Sequence, residues 1–275
     1  MTSIALTIAG SDSSGGAGIQ ADLKTFSALG VYGASAITAL TAQNTRGVEA
    51  VHIVPPAFVL AQIEAVARDL KVGAIKIGML ATSAVIEAVA EGLKAFAGVP
   101  VVLDPVMVAA SGDVLLDEEA VETLRSVLLP RATLITPNLP EAAKLLGAAE
   151  AKDEREMGEQ ARQLRAIGAN AVLIKGGHAD GPQAVDLYVD AEGEMRLEAP
   201  RVATSSTHGT GCTLSSAIAA ELAKGALLRE AVRTAKAYIT AAIGAADELH
   251  IGKGRGPVHH FHAWWPKLDD GRSRR

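Results

Sequence analysis

The hydrophobic positions of this chain follow two alternating periods. Short continuous runs rich in Val, Ile and Leu predict strands with both faces buried, and the segments between most of them repeat their apolar residues about every 3.6 positions, as helices do. This alternation is typical of a parallel sheet covered by helices on both faces. The predicted strands are 3–9, 35–40, 74–77, 99–103, 133–135 and 171–174, and the predicted helices include 17–29, 56–70, 83–96 and 118–129.

The last third of the chain departs from that alternation. Two strand-like runs, 184–190 and 195–199, flank a short turn and predict a hairpin near one edge of the sheet. Beyond them the pattern is helical, over 211–224 and 228–249. The charged stretch 152–165 predicts a helix with one solvated face.

Composition and charge narrow the class of protein. Hydrophobic residues make up 49% of the 275 positions and charged residues 21%, which is the balance of a compact globular protein. The formal net charge of −5 argues against nucleic acid as the main partner, because phosphate backbones need a basic surface. No apolar run approaches the ~18 residues of a membrane span, and no basic leader precedes the first strand. We therefore expect a cytoplasmic protein with no membrane partner.

The chain has one cysteine and no linker or internal repeat. Cys212 alone excludes an internal disulfide and a Cys-rich zinc module, which suits a reducing compartment. The absence of a linker predicts one α/β domain over residues 1–266, followed by a disordered tail over 267–275.

Polar residues and glycines cluster where the predicted strands end. In an open α/β sheet the ligand crevice lies outside the carboxyl ends of the strands. Loops are polar in general, so one such residue would mean little, but six strands repeat the pattern. We therefore predict an active site along this rim of the sheet. The residues that follow the strands are Gly10, Asp12, Gln43, Asn44, Gly78, Met79, Asp104, Asn138 and Lys175.

A glycine-containing turn precedes the first of the late helices. In Thr207-His208-Gly209-Thr210-Gly211-Cys212-Thr213, two glycines let backbone N–H groups point inward, and the start of the helix adds its positive end. These features predict a site for phosphate or another oxyanion, although a tight turn with a helix cap explains them equally well. Cys212 falls in the first helical turn, where the helix dipole and nearby cations can lower a thiol pKa. The alternative for Cys212 is a small buried residue.

Two familiar nucleotide motifs do not account for this turn. No Gly-x-x-x-x-Gly-Lys-Ser/Thr string occurs in the chain. Residues 16–21 match Gly-x-Gly-x-x-Ala, but they lie well after the first strand, and the next strand ends in Gln43 and Asn44 rather than in an acidic residue that would hold a ribose. We interpret the glycines of 16–21 as bending a loop over a substrate.

Charged residues on the same rim suggest phosphate chemistry. Asp104 and Glu141 are candidates for a Mg²⁺ site, because this hard cation takes carboxylates together with phosphate oxygens, although each carboxylate could instead cap a helix or lie on the surface. Lys175 could neutralise a transferring phosphoryl group. The cluster His259, His260 and His262 lacks an acidic partner, so we favour a docked tail over a metal site. We interpret His208 as an ordinary hydrogen-bonded histidine.

Seven strings, in the right order, give the chain a family resemblance over nearly its whole length. It resembles the bacterial hydroxymethylpyrimidine/phosphomethylpyrimidine kinases of thiamine biosynthesis, which belong to the ribokinase-like superfamily. The strings are AGSDSSGGAGIQADLKT (9–25), TALTAQNT (38–45), KIGML (76–80), TPNLPEA (136–142), KGGH (175–178), THGTGCTL (207–214) and GPVHHFHAWW (256–265).

The resemblance implies a fold and an activity. The fold is a three-layer αβα arrangement with a mostly parallel central sheet, helices on both faces and an edge hairpin. The activity is MgATP-dependent phosphorylation of 4-amino-5-hydroxymethyl-2-methylpyrimidine and then of its monophosphate. A homodimer is also implied, in which a loop or hairpin of one protomer helps to cover the other's pocket. The alternatives are a pyridoxal/pyridoxine kinase and a catalytically idle ligand-binding relative on the same scaffold.

The resemblance also assigns roles to individual residues. Gln43 resembles the family's substrate-reading glutamine, and an amide suits an aminopyrimidine edge as it suits adenine. Cys212 stands where many sugar kinases of the superfamily carry an aspartate base, and we predict that it accepts the hydroxyl proton. The other residues of the pyrimidine pocket are Asp22, Gly10, Met79 and Val106. The catalytic residues beside Cys212 are Gly209, Thr210, Gly211 and Lys175, and ATP and its phosphates are bound by Asn138, Lys175, Thr207, Gly209 and Gly211. The Mg²⁺ site is formed by Asp104 and Glu141.

Overall fold

A nine-stranded sheet forms the centre of the molecule in the computed structural model, which describes residues 2–108, 112, 116, 118–177 and 181–266. The predicted tail over 267–275 lies outside the described residues. The strands are β1 (Ile4–Asp12), β2 (Tyr32–Asn44), β3 (Gly47–Ile53), β4 (Ala74–Ile77), β5 (Val101–Leu103), β6 (Leu134–Ile135), β7 (Val172–Lys175), β8 (Gln183–Asp190) and β9 (Gly193–Pro200). Their order across the sheet is β3-β2-β1-β4-β5-β6-β7-β8-β9.

The middle of the sheet is parallel and both edges are antiparallel. Strands β2 to β7 pair in parallel through β1, β4, β5 and β6. Strands β8 and β9 form the predicted hairpin at one edge, in register from Gln183 opposite Pro200 to Asp190 opposite Gly193. At the other edge β3 pairs antiparallel with β2, and the sequence prediction missed it. The residues of β3 are mostly exposed, so it lacks the continuous buried run that reveals a central strand.

Helices fill the segments between strands, close to their predicted positions. The helix predicted over 83–96 ends in a 3₁₀ turn at Leu93–Phe96, and the one over 118–129 loosens into a π-helical turn at Leu124–Leu128. No helix of the described ranges is long and apolar enough to cross a bilayer. The helices are α1 (Gly18–Ala28), α2 (Pro56–Asp69), α3 (Ser83–Gly92), α4 (Glu118–Thr123), α5 (Leu139–Leu146), α6 (Glu154–Ala166), α7 (Thr210–Ala223) and α8 (Leu228–Gly244).

Two hydrophobic cores, one on each face of the sheet, complete the predicted three layers. One core packs α2 to α6 against the sheet, through residues such as Ile63, Ile86 and Leu164. The other packs α1, α7 and α8, through residues such as Phe26 and Ile218. Small residues along α7 let this helix approach the sheet closely, and eight consecutive residues from Thr213 to Ala220 are buried. The start of α7 is thereby held rigidly above the ends of β1, β4 and β5.

Two strands run further than their hydrophobic runs suggest. Asp12 is the last residue of β1, and Gln43 lies inside β2, whereas the sequence pattern placed both after the strands. Each strand carries an irregularity near its end, between Ala9 and Ser11 and between Ala42 and Gln43. Such bulges redirect side chains next to binding sites. The hydrophobic pattern stops where the strands leave the core, although their hydrogen bonding continues.

Candidate active site

A cavity of about 890 Å³ lies at the carboxyl ends of the parallel strands. It is bounded by β1, β2 and β4 on one side, by the residues after β5, β6 and β7 on the other, and by the start of α7. The cavity therefore occupies the predicted rim. The predicted site residues that line it are Gly10, Gln43, Met79, Asp104, Val106, Asn138, Glu141, Lys175, Thr207, Gly209, Thr210, Gly211 and Cys212.

Gln43 projects into the cavity from the irregular end of β2. Its Oε1 lies 3.0 Å from Thr41 Oγ1, and its backbone N–H and C=O both bond to the Ser13 hydroxyl. Neighbouring residues of a strand point to opposite faces, and Asn44 bonds to Glu49 outside this cavity. Thr41 therefore holds the side-chain amide of Gln43 at the wall, and Ser13 holds its backbone. Neither residue was singled out from the sequence.

The apolar wall of the cavity is small and close-packed. Met79 and Val106 pack with Ala39 and Ala81 in a separate hydrophobic cluster. A Cβ atom at Gly10 would lie 3.0 Å from Met79 Sδ, so the backbone of Gly10 and the side chain of Met79 approach each other closely here. Met79 and Val106 therefore give this side of the cavity an apolar surface.

Asp22 is the one predicted pocket residue that does not line the cavity. Its carboxylate is fully buried and lies 2.9 Å from Lys76 Nζ through both oxygens. It also accepts hydrogen bonds from Thr7 (2.6 Å) and Ser216 (2.6 Å). These bonds use the carboxylate inside the molecule, and Lys76, not Asp22, reaches the cavity wall. The sequence analysis assigned Lys76 no role beyond its place in KIGML (76–80), because its partner Asp22 is 54 positions away.

The turn before α7 has the geometry of an anion site. Gly209 caps the helix with a left-handed backbone (φ +80°), and the Thr210 hydroxyl donates to Thr207 O at 2.7 Å. The N–H of Thr210 donates to Thr207 O at 3.3 Å, and the N–H of Thr213 donates to Gly209 O at 2.8 Å. In the described chain this leaves the amides of Gly209, Gly211 and Cys212 available to a ligand. The turn therefore combines the positive end of a helix with unshielded N–H groups facing the cavity.

Cys212 is partly exposed at the cavity wall, but the prediction of a lowered thiol pKa was wrong. Burial raises the pKa of Cys212 to about 11, which outweighs the ammonium of Lys76 and a hydrogen bond from the backbone of Gly18. The nearby carboxylates of Asp22 and Asp104 act in the same direction as burial. The position within the first helical turn is as predicted, whereas the balance of surrounding charges was not readable from the sequence. The thiol is protonated at neutral pH.

Lys175 and Asp104 form a close ion pair on the opposite wall. Lys175 Nζ lies 2.7 Å from Asp104 Oδ1 and 3.8 Å from Glu141 Oε2. Burial opposes both charges, but each partner stabilises the other, so the pKa of Asp104 is lowered and that of Lys175 raised. A Cβ atom on Gly211 would lie 3.3 Å from Lys175 Nζ. The ammonium therefore lies directly beside the turn that precedes α7.

Asn138 and Glu141 form a capping box at the start of α5. Asn138 Oδ1 accepts from Glu141 N at 2.8 Å, and Glu141 Oε2 accepts from Asn138 N at 2.7 Å. The helix-cap interpretation and the cavity-lining prediction are both satisfied by this arrangement. Burial raises the pKa of Glu141 to about 7, against the effect of Lys175.

The carboxylates of this wall could bind Mg²⁺ together with water and substrate phosphates, which is the usual way that proteins bind this ion. Among the described residues no group of three or more His, Cys, Asp or Glu side chains is arranged to hold a metal ion. Asp104 and Glu141 nevertheless place two carboxylates on one wall, and Mg²⁺ is commonly bound by one or two carboxylates together with water and substrate phosphates. These two residues are the ones that could hold it.

His208 and His260 are both buried and hydrogen-bonded, as the sequence interpretation favoured for His208. His208 Nε2 lies 2.8 Å from Asp12 Oδ2, and both side chains are buried. His260 Nε2 lies 3.1 Å from Thr213 Oγ1, and burial lowers the pKa of His260 to about 3. The C-terminal segment (residues 256–265) therefore packs against α7.

A second cavity of about 420 Å³ adjoins the first and was not foreseen. The two cavities share Gln43, Ser205, His208 and Arg255. The charged residues lining the smaller one in the described chain are all cationic: Arg46, Lys253 and Arg255. Its lining comes from residues 43–47, 205, 208 and 253–255, which are far apart in the chain, so no local signal could have shown it.

The fold and the cavity at the ends of its parallel strands are those of a kinase of the ribokinase-like class. The chain belongs to the phosphomethylpyrimidine kinase family, whose model matches residues 12–259. The hydroxymethylpyrimidine/phosphomethylpyrimidine kinases of Rhizobium meliloti and Escherichia coli are 62% and 58% identical to it, over 96% and 95% of this chain and 99% and 98% of theirs.

Solved structures agree in fold with this assignment. A pyridoxal kinase of Bacillus subtilis in an ADP complex has a TM-score of 0.88 and 43% identity, over 96% of this chain and 99% of that one. A phosphomethylpyrimidine kinase of Clostridium difficile has a TM-score of 0.77 and 47% identity, over 87% of this chain and 99% of that one. The family resemblance and the ribokinase-like fold predicted from the sequence are confirmed.

Proposed function

We propose that this chain is an ATP-dependent kinase that phosphorylates the hydroxymethyl group of 4-amino-5-hydroxymethyl-2-methylpyrimidine and then the resulting monophosphate, in thiamine biosynthesis. The observation that carries the proposal is that Gln43 and the turn before Cys212 line one cavity. An amide can recognise an aminopyrimidine edge, and a glycine turn at a helix start can bind phosphate. Two curated relatives, at 62% and 58% identity, are named for both activities.

Different sides of the cavity would bind the pyrimidine ring and the phosphate groups. The Gln43 amide offers a donor and an acceptor side by side to the pyrimidine edge, while Met79 and Val106 contact a ring face. Such a bidentate pair distinguishes a matching ring from a mismatched one by about 1–3 kcal/mol. The ring would then direct its hydroxymethyl group towards Cys212.

Phosphoryl transfer needs positioning and charge stabilisation more than covalent chemistry. The backbone amides of Gly209, Gly211 and Cys212 and the ammonium of Lys175 would stabilise negative charge on the transferring group. Asn138 and Thr207 border the same space and complete the nucleotide side of the cavity. Mg²⁺, held by Asp104 and Glu141, would neutralise charge on the nucleotide phosphates. We propose that the thiolate form of Cys212 accepts the hydroxyl proton.

The test is incubation of the protein with MgATP and the pyrimidine alcohol, with monophosphate and diphosphate resolved by mass. We expect both products, in that order. Gln43→Leu should raise KM for the alcohol about 10- to 100-fold, because the bidentate pair is lost. Asn44→Leu is the matched control, since its side chain bonds to Glu49 outside the main cavity. Absence of any phosphorylated pyrimidine with wild-type protein contradicts the proposal.

A second candidate substrate follows from the structural neighbours. Pyridoxal kinases of Bacillus subtilis and Staphylococcus aureus superpose on this chain with TM-scores of 0.88. We therefore propose measuring kcat/KM for pyridoxal beside that for the pyrimidine alcohol. A higher value for pyridoxal would reverse the assignment of the preferred substrate and keep the kinase class.

A further inference from the structure

The two glycine turns on either side of Cys212 touch each other through bare backbone. One precedes α1 and contains Gly16. The other, which we call the phosphate turn, precedes α7 and contains Gly209. A Cβ atom on Gly209 would lie 1.8 Å from Gly16 O, and one on Gly16 would lie 2.3 Å from His208 Cδ2. Neither position can carry a side chain without displacing its partner turn, so the two turns are fitted to one another.

A single carboxylate, that of Asp12, holds these turns together. Its Oδ2 accepts from Gly16 N (3.0 Å), Ala17 N (2.8 Å) and His208 Nε2 (2.8 Å). Its Oδ1 accepts from Ser14 N and the Ser14 hydroxyl. Burial opposes ionisation, but the bonds from His208, Ser14 and Ala17 keep the pKa of Asp12 below its usual range. His208 thus joins the phosphate turn to a charged centre that organises the other turn.

The backbone of His208 is held from its other side by the C-terminal segment. Its N–H donates to Gly256 O at 3.0 Å, and its C=O accepts from Val258 N at 3.3 Å. Pro257 lies opposite it in a parallel bridge. One turn of α7 further on, Thr213 contacts His260. His208 therefore has both its backbone and its ring fixed, by segments that lie about 50 and 200 positions away in the chain.

Cys212 depends on this arrangement for its place in the cavity. It lies four residues after His208, at the first turn of α7, and it receives a hydrogen bond from the backbone of Gly18, the first residue of α1. The thiol therefore lies between two helix starts. The ring of His208 is the direct side-chain link between their turns.

We propose that His208 is a positioning residue for phosphoryl transfer, which through its bond to Asp12 holds Cys212 and the phosphate turn in register with the acceptor side of the cavity. This proposal rests on the proposed function. A misplacement of about 1 Å can cost about 100-fold in rate while leaving ground-state binding intact. His208 itself does not have to touch the substrate for this role.

The test compares His208→Gln with His208→Asn in the full chain. The glutamine amide nitrogen can occupy the place of Nε2 and keep the bond to Asp12, whereas asparagine is shorter by one methylene and cannot reach. We expect His208→Asn to lower kcat for the pyrimidine alcohol about 10- to 100-fold with KM within about twofold, and His208→Gln to stay within about threefold of wild type in both. Thermal unfolding of both variants controls for loss of fold.

The outcomes separate this proposal from the proposed function. If wild-type protein forms no phosphorylated pyrimidine, the function fails. If it does so and both variants keep the wild-type kcat, or both lose it equally with matched thermal stability, the positioning role is overturned. A change in KM alone would also overturn it, because it would place His208 in substrate binding. If both variants fail to fold, Asp12→Asn provides the second test: an unchanged kcat in a folded Asp12→Asn protein overturns the proposal, and a fall in kcat at constant KM supports it.

Discussion

At the scale of single residues, Asp22 and Lys76 form an ion pair that is completely buried beside the cavity. Both side chains have no solvent exposure, and Thr7 and Ser216 satisfy the remaining carboxylate sites. Burial opposes the charge on Lys76, but Asp22 outweighs it and raises the pKa of the ammonium. Asp22 therefore holds Lys76 in its charged form inside the protein.

We expect Lys76→Met to reduce the free energy of unfolding by about 3–5 kcal/mol, because it leaves a buried carboxylate without its counter-charge. The double variant Lys76→Met/Asp22→Asn should recover part of that loss, since the uncompensated charge is removed. Urea unfolding of wild type and both variants measures the difference. Equal destabilisation in the single and double variants would show that the charge is not the cause.

The thiol of Cys212 makes a second prediction at this scale. Its pKa is raised to about 11, so the thiolate fraction at neutral pH is small and rises with pH. If the thiolate accepts the hydroxyl proton, kcat should increase about tenfold per pH unit between about pH 7 and 9. Other charges that face this thiol are Lys76, Asp22, Asp104 and Lys175.

Cys212→Ser should lose that slope as well as most of the rate, because a serine hydroxyl does not ionise in this range. Steady-state kinetics with saturating substrates across the pH series measures it. A flat wild-type profile would remove Cys212 from the role of base and leave it only as part of the phosphate turn.

At the scale of elements, the C-terminal segment behaves as an added support for α7 and α8. His259 N donates to Ala242 O, the Tyr238 hydroxyl donates to His260 O, and Trp264 Nε1 donates to Ala28 O. The segment therefore connects α7, α8 and the end of α1. The sequence indicated a docked tail but not its partners, because the contacts join segments that are far apart.

His260 makes the docking sensitive to acid. Burial lowers the pKa of His260 to about 3. When the pH falls below about 6.5, the unfolded chain therefore binds a proton at this histidine, whereas the folded chain does not. This contribution to stability is complete above pH 6.5 and declines as the pH falls, reaching a loss of about 2 kcal/mol near pH 5. Thermal unfolding at pH 7.5 and 5 should show a smaller difference for His260→Gln than for wild type. An equal difference would contradict this origin.

The elements themselves were largely predictable and their ends were not. Continuous buried runs revealed the parallel strands, and the helical period revealed α2 within one residue at its end. The exposed edge strand β3 was missed, and the ends of β1 and β2 were placed too early. Both errors have one cause: hydrophobic periodicity reports burial, whereas strand pairing continues through exposed and polar positions.

At the scale of the whole molecule, the residues of the cavity were predictable as a set but not in their interactions. The strand order brings the ends of β1, β4, β5 and β7 to one rim, so residues such as Gly10 and Lys175 meet there. Asp22 was misplaced because a carboxylate one turn into α1 can face the cavity or the core, and the choice depends on Lys76. The pKa of Cys212 likewise depends on charges from several elements.

The edge formed by β2 and β3 bears on oligomeric state. Leu40, Val51 and Ile53 are exposed large hydrophobic residues on this edge. The homodimer implied by the family resemblance remains a proposal, and this surface is where we expect its contacts. Sedimentation should give about twice the 28.3 kDa mass of the chain, and Val51→Glu should shift it towards the monomer. A monomeric wild-type protein at micromolar concentration would exclude this arrangement.

The chain carries one sulfhydryl, and it opens onto the cavity wall. A fluorophore or spin probe coupled through it would report from that single position without removal of background thiols. Because the group resists ionisation, a free maleimide should couple slowly near neutrality, whereas a reagent built on a pyrimidine ring would be concentrated beside it before reacting. If such an electrophile inactivates the protein and the pyrimidine alcohol protects against it, labelling of Cys212 would report when the cavity is occupied by substrate.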